Sequence, residues 1–84
     1  MLNLFILSFI CSSLTKTGWI STQDLVRIMN LTPCNASYKL IAKTIQEELG
    51  AKKCKNNGGK HGYKIDEMYL RKMIAQKVIV VLKN

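Results

Sequence analysis

The chain has 84 residues and carries 13 Lys and Arg against 5 Asp and Glu, a formal net charge of +8. This length suffices for one small domain and excludes a multi-step enzyme with separate substrate and cofactor domains. Apolar residues make up 48% of the chain, too large a share for an intrinsically disordered tail. The excess of positive charge favours a polyanionic partner, either nucleic acid or an anionic membrane surface.

Three cysteines, Cys11, Cys34 and Cys54, are widely spaced. An odd number at such spacing argues against a secreted disulfide framework. A zinc site usually needs about four nitrogen or sulfur ligands, and the chain has a single histidine. The sequence therefore predicts free, partly buried thiols in a reducing compartment, with no metal and no cofactor.

The first 14 residues form an apolar run, with the first positive charge after it at Lys16. Helical spacing within the run predicts a core helix whose buried face holds Leu2, Ile6, Phe9 and Ile10. A targeting segment is the alternative, although the run lacks the positive start and small-residue cleavage site of a signal peptide. The run is also shorter than the roughly 20 apolar residues that cross a membrane. A third interpretation is that Met1 is not the natural start.

A short helix is predicted over about 22–29. Ser21 or Thr22 can cap it, because a hydroxyl there accepts from backbone N–H groups of the first turn. Its buried face would hold Leu25, Ile28 and Met29.

A longer helix is predicted from Thr32-Pro33 to about Leu49, because proline fits the first helical position. Gly50 is a typical residue for its end. Helical periodicity assigns it an apolar stripe of Tyr38, Ile41, Ile45 and Leu49. A separate polar face holds Asn35, Lys39, Lys43 and Gln46.

A basic segment follows, and its Asn56-Asn57-Gly58-Gly59 sequence predicts a hairpin of two short polar strands. Asp66 is expected to cap a final helix over about 67–76. The core contacts predicted for this helix are Met68, Tyr69, Met73 and Ile74. The β-branched run from Val78 to Leu82 is either a buried strand or an extension of that helix.

The middle of the chain resembles small winged helix-turn-helix proteins of phages and integrative elements, similar to excisionases and to the DNA-binding heads of MerR-type regulators. The resemblance spans about Trp19 to Ile74. It is carried by Ile20–Thr32, followed by Ala36–Ile41, and later by Gln46–Leu49 and Gly62–Ile65. The turn at Pro33-Cys34-Asn35 is about one residue longer than in that family, so the family does not define the register of the recognition helix.

The resemblance implies an α+β fold, mainly helical: a winged helix-turn-helix with a short β-hairpin wing. The predicted organisation is an apolar N-terminal extension over 1–18, the winged domain over 19–77 and an apolar C-terminal tail over 78–84. The extension and tail are expected to pair with each other or to build a homodimer interface.

Two groups of residues are the candidate DNA contacts. In such a fold the second helix lies in the major groove, and a lysine-rich hairpin reaches the flanking phosphates. Asn and Gln can pair with adenine edges and Lys with guanine. The helix group is Thr32, Asn35, Ser37, Tyr38, Lys39, Lys43 and Gln46; the hairpin group is Lys52, Lys53, Lys55, Lys60, His61 and Lys64.

The sequence has no nucleophile–base–orienter set and no phosphate-binding loop, so a non-enzymatic protein is expected. The favoured function is sequence-specific binding of double-stranded DNA, as a transcriptional regulator or excisionase-like factor of a mobile element. It would act in the cytoplasm, nucleoid or nucleus, wherever that DNA is. One alternative is a protein-binding inhibitor or assembly factor on the same scaffold. Another is a membrane-attached protein whose first 14 residues insert.

Overall fold

The computed structural model describes residues 2–83, and they form one antiparallel sheet with four helices. In chain order the elements are α1 (Leu4–Ser13), β1 (Trp19–Ser21), α2 (Thr22–Ile28), α3 (Asn35–Leu49), β2 (Lys52–Lys55), β3 (His61–Lys64) and α4 (Glu67–Lys83). The strand order is β1-β3-β2. The fold is therefore α+β and mainly helical, as predicted.

One hydrophobic core joins all four helices to the inner face of the sheet. Its fully buried side chains are Leu7, Ile10, Ile20, Leu25, Ile41, Ile45, Leu49 and Leu70. Tyr63 pairs with Ile20 across β1 and β3 and is also buried. The sheet thus packs one face against the helices, and its other face, the outer face, carries Trp19.

Helix α1 is the predicted core helix, and Asn3 caps it, with its Oδ1 accepting from the N–H of Ile6 (2.9 Å). Leu2 and Ile10 are buried and Ile6 is partly buried, as predicted. The prediction is wrong for Phe9, which is 60% exposed, whereas Leu7 is fully buried. The buried side of the helix is centred between Leu7 and Ile10, and Phe9 lies outside it.

Helix α2 begins as predicted, with the Ser21 hydroxyl accepting from the N–H of Asp24 (3.0 Å). It ends at Ile28, with Met29 as its C-cap. Asn30 then has a left-handed φ of 55°, and the N–H of Leu31 bonds back to the carbonyl of Val26 (2.9 Å). These features define a Schellman-type end. The chain is thereby turned out of the helix before Thr32 is reached.

The prediction that α3 starts at Thr32-Pro33 is wrong, because the helix begins at Asn35. Its N-cap is Cys34, whose backbone is extended (φ −162°, ψ 168°). The preceding residues span the gap between the two helices instead of forming a first turn. Gly50 ends α3 in the left-handed region (φ 62°), as expected for a glycine there.

The apolar stripe of α3 is confirmed at Ile41, Ile45 and Leu49, which are all buried. The prediction is wrong for Tyr38, which is 41% exposed. Ser37 takes the buried position because it lies one helical turn before Ile41, on the side that faces the core.

The predicted hairpin is confirmed as β2 and β3, joined through Asn56–Lys60. Strand β1 was not predicted. It is three residues long, with Trp19 partly buried and both Ile20 and Ser21 buried. The burial does not alternate, and the strand is too short for a period-of-two signal to be legible in the sequence.

Helix α4 is longer than predicted and runs through the β-branched segment, so the helix extension is the correct alternative for Val78 to Leu82. Leu70 is its buried anchor, with Met73 and Ile74 partly buried. Met68 and Tyr69 are exposed instead of buried (73% and 46%). Met68 lies on nearly the opposite side of the helix from Leu70.

Helix α1 packs against α4. Val78, Ile79, Val80 and Leu82 of the predicted tail are exposed, so the pairing of extension and tail and the homodimer interface both stay predictions. Residues 1 and 84, which belong to the predicted extension and tail, lie outside the described residues. The predicted division at residues 18 and 77 stays a prediction.

Candidate nucleic-acid interface

The polar face predicted for α3 is open to solvent. Asn35, Lys39, Lys43 and Gln46 are all exposed, on the side of the helix away from Ile41 and Ile45. Helix α3 is thus amphipathic: one side packs against the core, and the other presents amide and ammonium groups to solvent.

The hairpin is held in shape by Asn56. Its Oδ1 accepts from the N–H groups of Gly58 and Lys60 (both 2.9 Å), and its own N–H donates to the carbonyl of Lys60 (3.0 Å). Gly59 supplies the positive φ of 79° that the turn needs. The basic side chains of the two strands are therefore joined by a turn that is fixed by hydrogen bonds.

The strand register divides the basic residues between the two faces of the sheet. Lys53 lies opposite Tyr63, and Lys55 lies opposite His61. Because paired residues of antiparallel strands share a face and successive residues alternate, these four lie on the inner side with the helices. Lys52 and Lys64 lie opposite each other on the outer face.

The inner side of the hairpin and the exposed face of α3 enclose a groove of about 530 Å³, which we call the α3–hairpin groove. The start of α2 contributes Thr22 and Gln23 to its wall. Its lining residues are Thr22, Gln23, Tyr38, Lys39, Ala42, Lys53, Lys60, His61 and Tyr63.

Five of the predicted contact residues therefore come together in one place: Tyr38, Lys39, Lys53, Lys60 and His61. Lys43 and Gln46 lie further along the exposed face of α3, and Lys55 and Asn35 are exposed outside the groove. Thr32 is exposed in the segment between the helices.

Ser37 is the least accessible of the predicted contacts. It is buried, and its hydroxyl lies 3.4 Å from the Sγ of Cys34. This side chain is placed to hold the first turn of α3 and is poorly placed to touch a ligand.

Thr22 and Gln23 line the groove and were not among the predicted residues. They occupy the first turn of α2, and nothing in their local sequence distinguishes them from ordinary solvent-exposed positions. Only the packing of α2 beside α3 brings them to the hairpin.

The groove is electropositive. Its lining holds three lysines and a histidine and no carboxylate. Asp24 pairs with Arg27 (3.5 Å) and Glu67 with Arg71 (3.7 Å), and among residues 2–83 no ion pair involves Lys39, Lys53 or Lys60. Positive charges gathered in a concave surface focus the field on an incoming anion.

Two groups have displaced pKa values: Cys34 at the start of α3 and Tyr63 in the lining of the groove. The pKa of the exposed Cys34 thiol is lowered, chiefly by a hydrogen bond with the side chain of Ser37 and secondly by one with the Ser37 backbone. Burial raises the pKa of Tyr63, which keeps its phenol neutral at the floor of the groove.

The three cysteines are free, with Cys11 and Cys54 partly buried and Cys34 exposed. Within residues 2–83 no group of three or more His, Cys, Asp or Glu side chains is arranged to hold a metal ion. None of the helices described is long and apolar enough to span a bilayer.

Compared with protein-family models, with curated proteins and with solved structures, the chain shows no significant match to any of them.

Proposed function

We propose that this chain is a winged helix-turn-helix protein that binds double-stranded DNA in a sequence-specific manner, without catalysing a reaction. The element order α1-β1-α2-α3-β2-β3-α4 supports the winged fold, with α3 as recognition helix and β2–β3 as wing. The observation that carries the proposal is that Lys39 of α3 and Lys53 and Lys60 of the hairpin line one groove that contains no carboxylate.

In this proposal α3 enters the major groove, which is wide enough to admit a helix. Lys39 and Lys43 donate to guanine edges, and Asn35 and Gln46 pair with adenine. The hairpin residues Lys53, Lys60 and His61 hold phosphates and set the orientation of the protein on the duplex. A regulator or excisionase-like factor of a mobile element is the role that this binding mode and the resemblance favour.

The test is fluorescence anisotropy with a labelled duplex enriched by selection and a random duplex, each titrated at several salt concentrations. We expect a clear preference for the enriched duplex. The variant Lys39→Ala/Lys43→Ala should lose most of that preference, since each good base contact contributes about 1–3 kcal/mol of discrimination.

The matched control is Lys72→Ala/Lys77→Ala on α4, which removes the same charge away from the groove. It should leave the preference unchanged. Equal affinities of the wild-type protein for both duplexes would contradict the proposal, as would a preference that survives in the α3 variant.

A second candidate function, a protein-binding inhibitor or assembly factor, is favoured by the apolar residues left exposed on the terminal helices. Phe5 and Phe9 are one turn apart on α1, and Ile79 and Leu82 lie on α4 with 51% and 79% exposure. Surfaces of this kind commonly serve protein association. Weak DNA binding without sequence preference would shift the assignment to this candidate.

The homodimer predicted from the same segments is tested by light scattering after size-exclusion chromatography. A mass near 9.5 kDa at all concentrations would exclude it.

A further inference from the structure

A second basic concavity lies at the end of the sheet opposite the hairpin turn. It has a volume of about 410 Å³ and is formed where β1 starts, β2 starts and β3 ends. Three lysines line it: Lys16, Lys52 and Lys64. We call it the basal pocket. Lys16 belongs to neither group of predicted DNA contacts.

The basal pocket and the α3–hairpin groove use opposite faces of the sheet. Lys52 and Lys64 are direct partners in the β2–β3 register, and each is adjacent in sequence to a residue of the groove, Lys53 and Tyr63. Side chains alternate along a strand. A ligand bound in the α3–hairpin groove therefore does not contact the lysines of the basal pocket, because those lysines lie on the other face of the sheet.

Two of the lysines of the basal pocket, Lys52 and Lys64, repel each other across the strands. Like charges directly opposite each other on antiparallel strands destabilise a sheet, because their Cβ atoms are only about 5 Å apart. Within residues 2–83 none of the three lysines forms an ion pair. The fold thus places a third positive charge, Lys16, beside a pair that already repels.

The two carboxylates that line the same pocket have other partners. Asp66 Oδ1 accepts from the N–H groups of Met68 and Tyr69 (3.0 and 3.3 Å). Glu67 pairs with Arg71. Both carboxylates keep their negative charge, but neither forms an ion pair with Lys16, Lys52 or Lys64.

The turn before β1 adds hydroxyl groups to the wall of the pocket. The Oγ1 atoms of Thr15 and Thr17 are 3.0 Å apart, and Thr15 Oγ1 also accepts from the N–H of Trp19 (3.1 Å). When Thr15 donates to Thr17, the hydroxyl proton of Thr17 is left for a ligand. Lysine ammonium and threonine hydroxyl groups are donors suited to a tetrahedral oxyanion.

We propose that the basal pocket binds a phosphate group through Lys16, Lys52 and Lys64, independently of the α3–hairpin groove. The phosphate could come from a free phosphate ion or from a phosphodiester of nucleic acid. In the second situation the protein holds two DNA segments, one on each face of the sheet, and this extension rests on the proposed function.

The first experiment is a titration of ¹⁵N-labelled full-length protein with inorganic phosphate at constant ionic strength, followed by heteronuclear NMR. We expect saturable shifts of the amides of Lys16–Gly18, Lys52 and Lys64. The variant Lys16→Gln/Lys52→Gln/Lys64→Gln should lose them. The variant Lys39→Gln/Lys53→Gln/Lys60→Gln, with the same change in charge, should keep them. The spectra also show whether each variant is folded.

Absence of saturable shifts at the basal amides, or shifts that survive in the basal variant, would overturn the proposal. The second experiment separates the two sources of phosphate. Donor-labelled and acceptor-labelled short duplexes are mixed with the protein, and energy transfer between them is measured.

Transfer that requires the basal lysines identifies a phosphodiester as ligand, whereas phosphate shifts without transfer identify the free ion; both support the pocket. Failure of the DNA proposal gives a different result. In that event the groove variant would not alter duplex affinity, while the phosphate shifts at the basal amides would remain.

Discussion

The indole of Trp19 covers the backbone of Gly62 on the neighbouring strand. Its Nε1–H extends beyond β3 and donates to the carbonyl of Cys54 on β2 (3.2 Å). A Cβ at position 62 would collide with the indole ring and with the carbonyl of Ile20. One side chain therefore links all three strands, and it does so only because residue 62 has no side chain.

Gly62→Ala should destabilise the protein by about 1–3 kcal/mol, the usual cost of forcing extra atoms into a packed position. Urea unfolding followed by tryptophan fluorescence measures it, and the Trp19 emission should change in the folded state as well. Gly58→Ala is the matched control, because an added Cβ there meets only Asn56 Oδ1 at 3.4 Å. Equal stabilities of the two variants would show that the indole does not lie over Gly62.

Loss of two hairpin charges should weaken binding to all duplexes alike. For Lys53→Gln/Lys60→Gln we expect the slope of log K against log salt to become shallower by about 2, since each phosphate contact contributes about 0.9 to it. Anisotropy titrations with the random duplex provide the slope. Lys72→Gln/Lys77→Gln is the control and should leave it unchanged. A slope identical to that of the wild type would mean that the groove lysines do not contact phosphate.

Cys34 should be alkylated faster than Cys11 and Cys54, because it is exposed and the hydrogen bonds of Ser37 lower its pKa. The thiolate is the reactive form, so its labelling by iodoacetamide should begin at a lower pH than is usual for a cysteine. Ser37→Ala should move the profile to higher pH, whereas Ser13→Ala should not. Mass spectrometry of timed samples measures the rates. Three cysteines with one common pH profile would contradict the hydrogen bond.

Tyr63 should make the protein less stable at alkaline pH. Burial raises the pKa of this phenol in the folded state, so the unfolded chain loses the proton first as pH rises. The contribution to stability is complete below the unfolded value of about 10 and is lost as pH rises through the folded pKa. In urea unfolding at several pH values, Tyr63→Phe should lessen the alkaline loss. Tyr69→Phe, at an exposed position, should not.

The local signals in the sequence were sufficient for most of the elements. Ser21, Gly50 and Asp66 mark helix ends through hydrogen bonds or backbone angles that involve only a few neighbouring residues, and such preferences act before tertiary packing. The Asn-Gly turn defines the hairpin for the same reason. The periodicity of α3 correctly separated its buried residues from its exposed lysines.

The predictions from sequence fail where the structure of a residue depends on another residue far away in the chain. Strand β1 exists because Trp19–Ser21 pairs with Gly62–Lys64, more than forty positions along the chain. Tyr38 is exposed and Ser37 buried because the angle at which α3 packs selects the side facing the core. On α4 Leu70 is buried and Met68 is exposed, because the packing of the helix on the rest of the fold selects the side that faces the core.

The composition and the local patterns thus determined that this is a small basic α+β protein with an amphipathic helix followed by a lysine-rich hairpin. Only the tertiary structure decided that Lys39 shares a groove with Lys53 and Lys60, that Gln23 joins them, and that Lys52 and Lys64 turn away to another pocket. The physical reason is that helix caps and turns depend on neighbours in sequence. A binding surface depends on packing angles and strand register, which are set by residues far apart in the chain.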